Sequence, residues 1–304
     1  MEPSRASWYA RFPEGWWGYH PTLPRPMSVV EIVESGSLDA RLMATLWAVV
    51  ARRRSVMLAS EAPMAGKTTT LSALVDLLPP GSVGVFLRGW RADDSWTAEI
   101  SADEGYLLVN EMSDHLPIYV WDDNARLALH LAARGYGLGA TMHADSLPEA
   151  IVALRDDLGT PEPDLGALTI YLQYSAYRTS SGMYRRVEEA WHLRIDASGA
   201  LAPVRLAAIS GDRSPSLTGA QRDPEPPLLS GDGGRAARRL VHDDEAYDLL
   251  ATALGSSPAD FAREVADRSS FLAALLVRGV CEPWAVREAV ADYPALPPVL
   301  AAGA

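Results

Sequence analysis

The chain is short of lysine and cysteine, and it contains no long apolar run. Of its 27 basic residues one is a lysine, Lys67, and the other 26 are arginines. The single cysteine, Cys281, excludes disulfides within the chain and multi-cysteine zinc sites, and it reads as a buried structural thiol. No stretch of about 18 or more uncharged apolar residues is present, which excludes a membrane-spanning helix in this sequence. The N-terminal residues carry Glu2, Arg5 and Arg11 among aromatics and prolines, unlike a signal peptide, so the expected location is the cytoplasm. The formal net charge of −12 excludes broad electrostatic attraction to nucleic acid or anionic lipid, which requires clustered cations to neutralise phosphates. Arg52-Arg53-Arg54 is the one tight basic run, and it reads as a solvated helix end whose cations complement the helix dipole.

What is present is a chain of 304 residues, 48% of them apolar, enough for a core of ordinary size and a smaller accessory unit. Residues 1–27 form a proline- and aromatic-rich arm with Trp8, Trp16 and Trp17. An amphipathic helix is expected from about Leu38 to Arg53, capped by Ser37. A short apolar strand, Ser55–Ala59, leads into a loop and a second helix stopped by Pro79-Pro80. Strands Val83–Leu87, Tyr106–Val109 and Leu138–Met142 then alternate with helices around Asp123–Ala133 and Leu147–Asp157, the latter opened by a Ser146/Glu149 capping box. This alternation predicts an α/β fold with a mostly parallel sheet flanked by helices, its ligands at the carboxyl ends of the strands. About Leu168 to Ala208 reads as β-structure, and the Gly-, Pro- and Ser-rich stretch after it reads as a linker. The expected organisation is an arm (1–27), an α/β core (28–208), a flexible linker (209–237) and a small acidic helical domain (238–304).

The loop "EAPMAGKT" (Glu61–Thr68) matches the phosphate-binding pattern G-x-x-x-x-G-K-[ST] at Gly66, Lys67 and Thr68 and departs from it at the first position. Its place between an apolar strand and a helix is the place the mechanism requires, because backbone N–H groups and a helix N-terminus together attract phosphate. A compact ammonium on a flexible stem enters such a loop more readily than a planar guanidinium. The candidate phosphate-binding residues are therefore Pro63, Met64, Ala65, Gly66, Lys67, Thr68 and Thr69. Glu61 must face away from any bound phosphate or be offset. Two further segments fall at the carboxyl edge, Asn110-Glu111 and His143. On its own, Glu111 reads either as a surface acid at a strand end or as a group that positions water. His143 reads either as a structural histidine or as part of the same site.

Together "EAPMAGKT", "LLVNEMSD" (Leu107–Asp114), "GLGATMHADS" (Gly137–Ser146) and "RRVEEA" (Arg185–Ala190) resemble, in order, the phosphate loop, Walker B segment, histidine box and following strand of the type II/type IV secretion ATPases. The resemblance is especially to the archaeal-type pilus and archaellum assembly ATPases and the Tad-pilus ATPases. The resemblance covers roughly residues 20–205 and implies a divergent, shortened member with a P-loop NTPase (RecA-like) core. It implies ATP and Mg²⁺ as cofactors, with Lys67 on the phosphates, Thr68 as a metal ligand, Glu111 at the hydrolytic centre and His143 sensing the γ-phosphate. It further implies a homo- or hetero-oligomeric ring working on a membrane platform protein of a pilus or secretion system, peripheral to the inner face of the cell membrane. Four residues beyond the loop also depart from the family. Arg88-Gly89 stands where an acidic pair is usual, Asn110 replaces a glycine, and Ser113 replaces an arginine. These departures favour an alternative, a non-hydrolysing paralogue with a structural or regulatory role.

Overall fold

The computed structural model describes residues 25–89, 94–179, 182–210 and 239–294. Residues 1–24 of the aromatic arm, with its three tryptophans, and nearly all of the linker lie outside the described residues. Along the chain run α1 (Val29–Glu34), α2 (Ala40–Val50), β1 (Val56–Ala59), α3 (Lys67–Val75), β2 (Val83–Phe86), β3 (Gly105–Met112), α4 (Asp122–Ala133), β4 (Gly137–Met142) and α5 (Leu147–Val152). They are followed by α6 (Glu162–Gly166), β5 (Ile170–Thr179), β6 (Gly182–His192), β7 (Val204–Ile209), β8 (Leu240–His242), α7 (Asp244–Ala253), α8 (Pro258–Val277) and α9 (Pro283–Ala291).

The eight strands form one sheet in the order β2-β3-β4-β1-β5-β6-β7-β8. The first five are mutually parallel, and β5 to β8 continue as an antiparallel meander. The mostly parallel α/β sheet expected from the sequence is thus present, extended by an antiparallel edge. β1 sits in the middle, between β4 and β5, and all four of its residues are buried. That explains its unbroken apolar run: a strand covered on both faces has no polar side to alternate with.

Successive residues of the central strands feed two cores. Val56, Leu58, Leu108, Ile170 and Leu172 pack under α1, α2, α3 and the C-terminal helices. Met57, Ala59, Leu107, Val109 and Ala140 pack under α4, α5 and α6 on the other face. Helix α2 is buried on nearly every side because α8 covers the face turned away from the sheet. Asp39, rather than the expected Ser37, caps α2 by accepting from Leu42 N at 2.8 Å. Ser37 instead gives its carbonyl to Val187 N at 2.7 Å. Arg52 does not end in solvent; it makes a bidentate pair with Glu264 of α8 at 2.9 and 2.8 Å. The expected helix over 147–157 changes to a π-turn from Ala153. Glu149 reaches the backbone N–H of Asp145 rather than that of Ser146, so the capping box is half-formed. Cys281 is half-covered rather than buried.

Candidate functional site

The site lies where β1 hands the chain to α3. Ser60 N donates to Met142 O at 3.2 Å, anchoring the start of the loop to the neighbouring strand β4. The loop closes at Gly66, whose φ of +98° is left-handed and makes it the N-cap of α3. A β-carbon there would be strained, which accounts for glycine at this step. Helix α3 is held close to the sheet, since a β-carbon on Gly139 of β4 would stand 2.6 Å from Leu71 Cδ1. Tyr174 of β5 pins the first turn by donating to Thr70 Oγ1 at 2.8 Å.

Lys67 opens the helix and is only 6% exposed. Its Nζ donates to Ser60 O at 2.8 Å, so the ammonium spans the loop from its end to its beginning. Burial pushes its pKa below the ordinary value, opposed by the charges of Glu111 and Glu61. Glu61 itself is exposed and lies outside the cleft lining, which resolves the repulsion anticipated for an inward carboxylate. From the antiparallel side, Arg185 of β6 donates its Nε to Met64 O at 2.6 Å. Its Cδ lies 3.5 Å from the place a Gly66 β-carbon would take. Burial lowers its pKa as well.

Across the cleft, a register shift between Val109 and Met112 bulges β3 at Asn110-Glu111. Bulges re-aim side chains at the edge of a sheet. Glu111 is 7% exposed, and its Oε2 accepts from Thr141 Oγ1 at 3.0 Å. The single Thr141 hydroxyl proton is shared between this carboxylate oxygen and Asn110 O. The second carboxylate oxygen, Oε1, has no hydrogen-bond partner and stands 3.9 Å from His143 Nε2. The ring of His115 lies beside His143, centroids 5.6 Å apart.

All nine residues singled out from the sequence, Pro63 to Thr69 together with Glu111 and His143, line one cleft of about 610 Å³. Sequence reasoning did not assign a part in it to Tyr174, Tyr184 or Arg185, which also line it. Arg185 and Tyr184 carry no local signal, because β6 reaches the loop only through the antiparallel return of the sheet. Arg88, in place of the acidic pair, is half-buried at the end of β2 and does not line the cleft.

These residues suit a polyphosphate: a left-handed glycine at a helix N-terminus, a buried ammonium and a neighbouring guanidinium converge on one volume. For a divalent metal the set is thin, namely the Thr68 hydroxyl and the Glu111 carboxylate. Among the described residues no group of three or more His, Cys, Asp or Glu could hold an ion. Mg²⁺ commonly keeps several waters and takes one or two protein oxygens plus phosphates, so a thin set is compatible with it.

The fold and this cleft define an α/β protein with a cleft at the carboxyl edge of a mostly parallel sheet. No protein-family model and no curated protein matches the chain. Among solved structures it is similar to the VirB11 ATPase of the Brucella suis type IV secretion system, with 16% identity, a TM-score of 0.37 and 54% of each chain covered. It is also similar to the ATPase DotB of Legionella pneumophila, with 14% identity, a TM-score of 0.35, and 59% of this chain and 53% of that one covered. The chain thus spans about half the length of either. Among the described residues, no helix is long and apolar enough to cross a membrane.

Proposed function

We propose that the chain is a nucleotide-binding protein of the secretion-ATPase kind, taking Mg²⁺–ATP in the cleft above β1. One observation carries this reading: a buried lysine at the head of α3 shares a cleft with a carboxylate that is held on one oxygen and unpartnered on the other. Lys67 exchanges Ser60 O for the terminal phosphate oxygens, and the free N–H groups of α3 hold the others. Thr68 supplies a hydroxyl to the metal. Glu111, fixed by Thr141, orients a water and receives its proton, and His143 contacts the γ-phosphate. Bound Mg²⁺ would offset charge on the β- and γ-oxygens. Residues 28–208 form the nucleotide-handling core in this reading and 238–304 an accessory helical unit. The active form is a ring that works on a membrane platform at the inner face of the membrane.

A second reading is favoured by Arg88 in the acidic-pair position and by the scarcity of metal ligands: nucleotide is bound but barely hydrolysed, and the chain is a structural or regulatory subunit. Calorimetric titration of ATP with and without Mg²⁺, paired with a phosphate-release assay, decides. Lys67→Ala abolishes binding if the cleft is the nucleotide site, and unchanged affinity rejects the proposal. Binding without phosphate release that responds to Glu111→Gln selects the second reading.

A further inference from the structure

A second cleft, of about 670 Å³, lies at the opposite edge of the sheet, where the parallel strands begin. It includes Ser55 just before β1, Tyr136 just before β4 and Thr169 just before β5. Its polar lining is one-signed. Arg53 and Arg54, from the one tight basic run of the sequence, meet Arg194 there, beside a His192 that burial keeps neutral, and no acid lines it. In a chain of net charge −12 such a concentration is out of keeping with the surface as a whole. Acids outside the lining act on two of these arginines: Asp103 and Glu104 on Arg53, and Asp196 on Arg194. Among the described residues, neither Arg54 nor Arg194 has an ion-pair partner, whereas Arg53 is steadied by Ser82 Oγ at 3.1 Å.

His192 is 3% exposed, and its Nδ1 is engaged with Thr169 O at 2.9 Å. That bond leaves Nδ1 as the donor, and Nε2 is buried without any partner. The rest of the wall is apolar, with Ile195 from the sheet side and Leu254 from the helical side. Helix α7 contributes Leu249, Thr252 and Ala253, so the cleft joins the C-terminal helices to the core.

We propose that this cleft binds a small organic anion, with a phosphate or carboxylate group held between Arg54 and Arg194 and an apolar body against Ile195 and Leu254. Guanidinium forks match both groups bidentately, and apolar walls favour a ligand with a carbon skeleton over a bare inorganic ion. The site is separate from the nucleotide cleft, so it stands whether or not that reading holds.

The test uses the full chain, titrated with phenyl phosphate, benzoate, inorganic phosphate and, as the neutral control, phenol, while the imidazole resonances of His192 are followed by NMR. Phenyl phosphate or benzoate binds saturably and shifts His192, both in the wild type and in Lys67→Ala. The tighter of the two identifies the anionic group. Arg54→Gln/Arg194→Gln weakens that binding by about ten-fold or more, the loss expected for a charge-assisted hydrogen bond. Leu249→Trp, which narrows the cleft without touching a charge, weakens it too and keeps the test open should the arginine pair fail to fold. The proposal is overturned if neither anion saturates, if phenol binds equally well, or if Lys67→Ala removes the effect while the arginine pair leaves it intact.

Discussion

Glu111 Oε1 stands 3.9 Å from His143 Nε2, while the other oxygen of the same carboxylate accepts from Thr141 at 3.0 Å. One lone-pair face is therefore fixed by the protein and the other is left for whatever occupies the cleft. Glu111→Gln keeps size and a hydrogen bond to Thr141 but cannot take a proton. The expected result is a fall in ATP hydrolysis of about 10²–10⁴-fold with nucleotide affinity largely retained. A variant that hydrolyses at the wild-type rate removes Glu111 from the chemistry.

Lys67 gives a linkage prediction of definite sign. Its folded-state pKa lies below the ordinary 10.5, so in the window between the two values the unfolded chain binds the extra proton. Stability therefore rises with pH through that window and levels off above it. Buried Tyr106 and Tyr174 act in the opposite sense, because burial raises their pKa and unfolding frees them to ionise. The quantity to measure is the difference in urea-unfolding free energy between the wild type and Lys67→Met, which cancels the tyrosines. That difference climbs as pH approaches 10.5 from below. A flat difference would mean that the ammonium is solvated.

Gly66→Ala tests the loop itself. At φ +98° the added β-carbon meets left-handed strain of about 1–2 kcal/mol, and it comes within 3.5 Å of Arg185 Cδ, an ordinary contact. Equilibrium unfolding should show a loss of that size, with ATP affinity falling as well because the helix N-terminus is displaced. Unchanged stability would show that the backbone relaxes out of this conformation.

How much of this was legible beforehand depended on whether the signal was local. The β1 run, the Gly66-Lys67-Thr68 step and the breaker Pro79-Pro80 follow one another in a single stretch from Val56 to Pro80, and they located the loop and its helix. Glu111 and His143 were placed because parallel strands put their carboxyl ends on one edge. Arg185 was not, since it meets Met64 only through a contact 121 residues apart in sequence. The fate of Arg52 was misread for the same reason: nothing beside it hints at Glu264, 212 residues later. At the start of α2 both Ser37 and Asp39 are competent caps, and the choice fell to Asp39 once the Ser37 carbonyl was engaged by β6.

That long-range arginine contact supplies the last prediction. Glu264 is bound bidentately by Arg52 and approached by Arg268 Nη2 at 3.0 Å, with side-chain exposures of 6% for Glu264 and 4% for Arg268. Arg268 also lies over the Trp47 ring, 4.4 Å from its centroid, so the cluster seals α8 against α2. Burial depresses the Arg268 pKa, and the Glu264 charge offsets part of that cost. Removing the shared anion strands two cations at a dry helix interface, which costs far more than the pair contributes when intact. Glu264→Ala should therefore lower unfolding stability by about 3–5 kcal/mol. Arg268→Met, which keeps apolar contact with Trp47 and leaves Arg52–Glu264 paired, should cost considerably less. If Glu264→Ala loses under about 1 kcal/mol, as surface pairs do, the cluster is hydrated in solution and α8 is held by its apolar contacts alone.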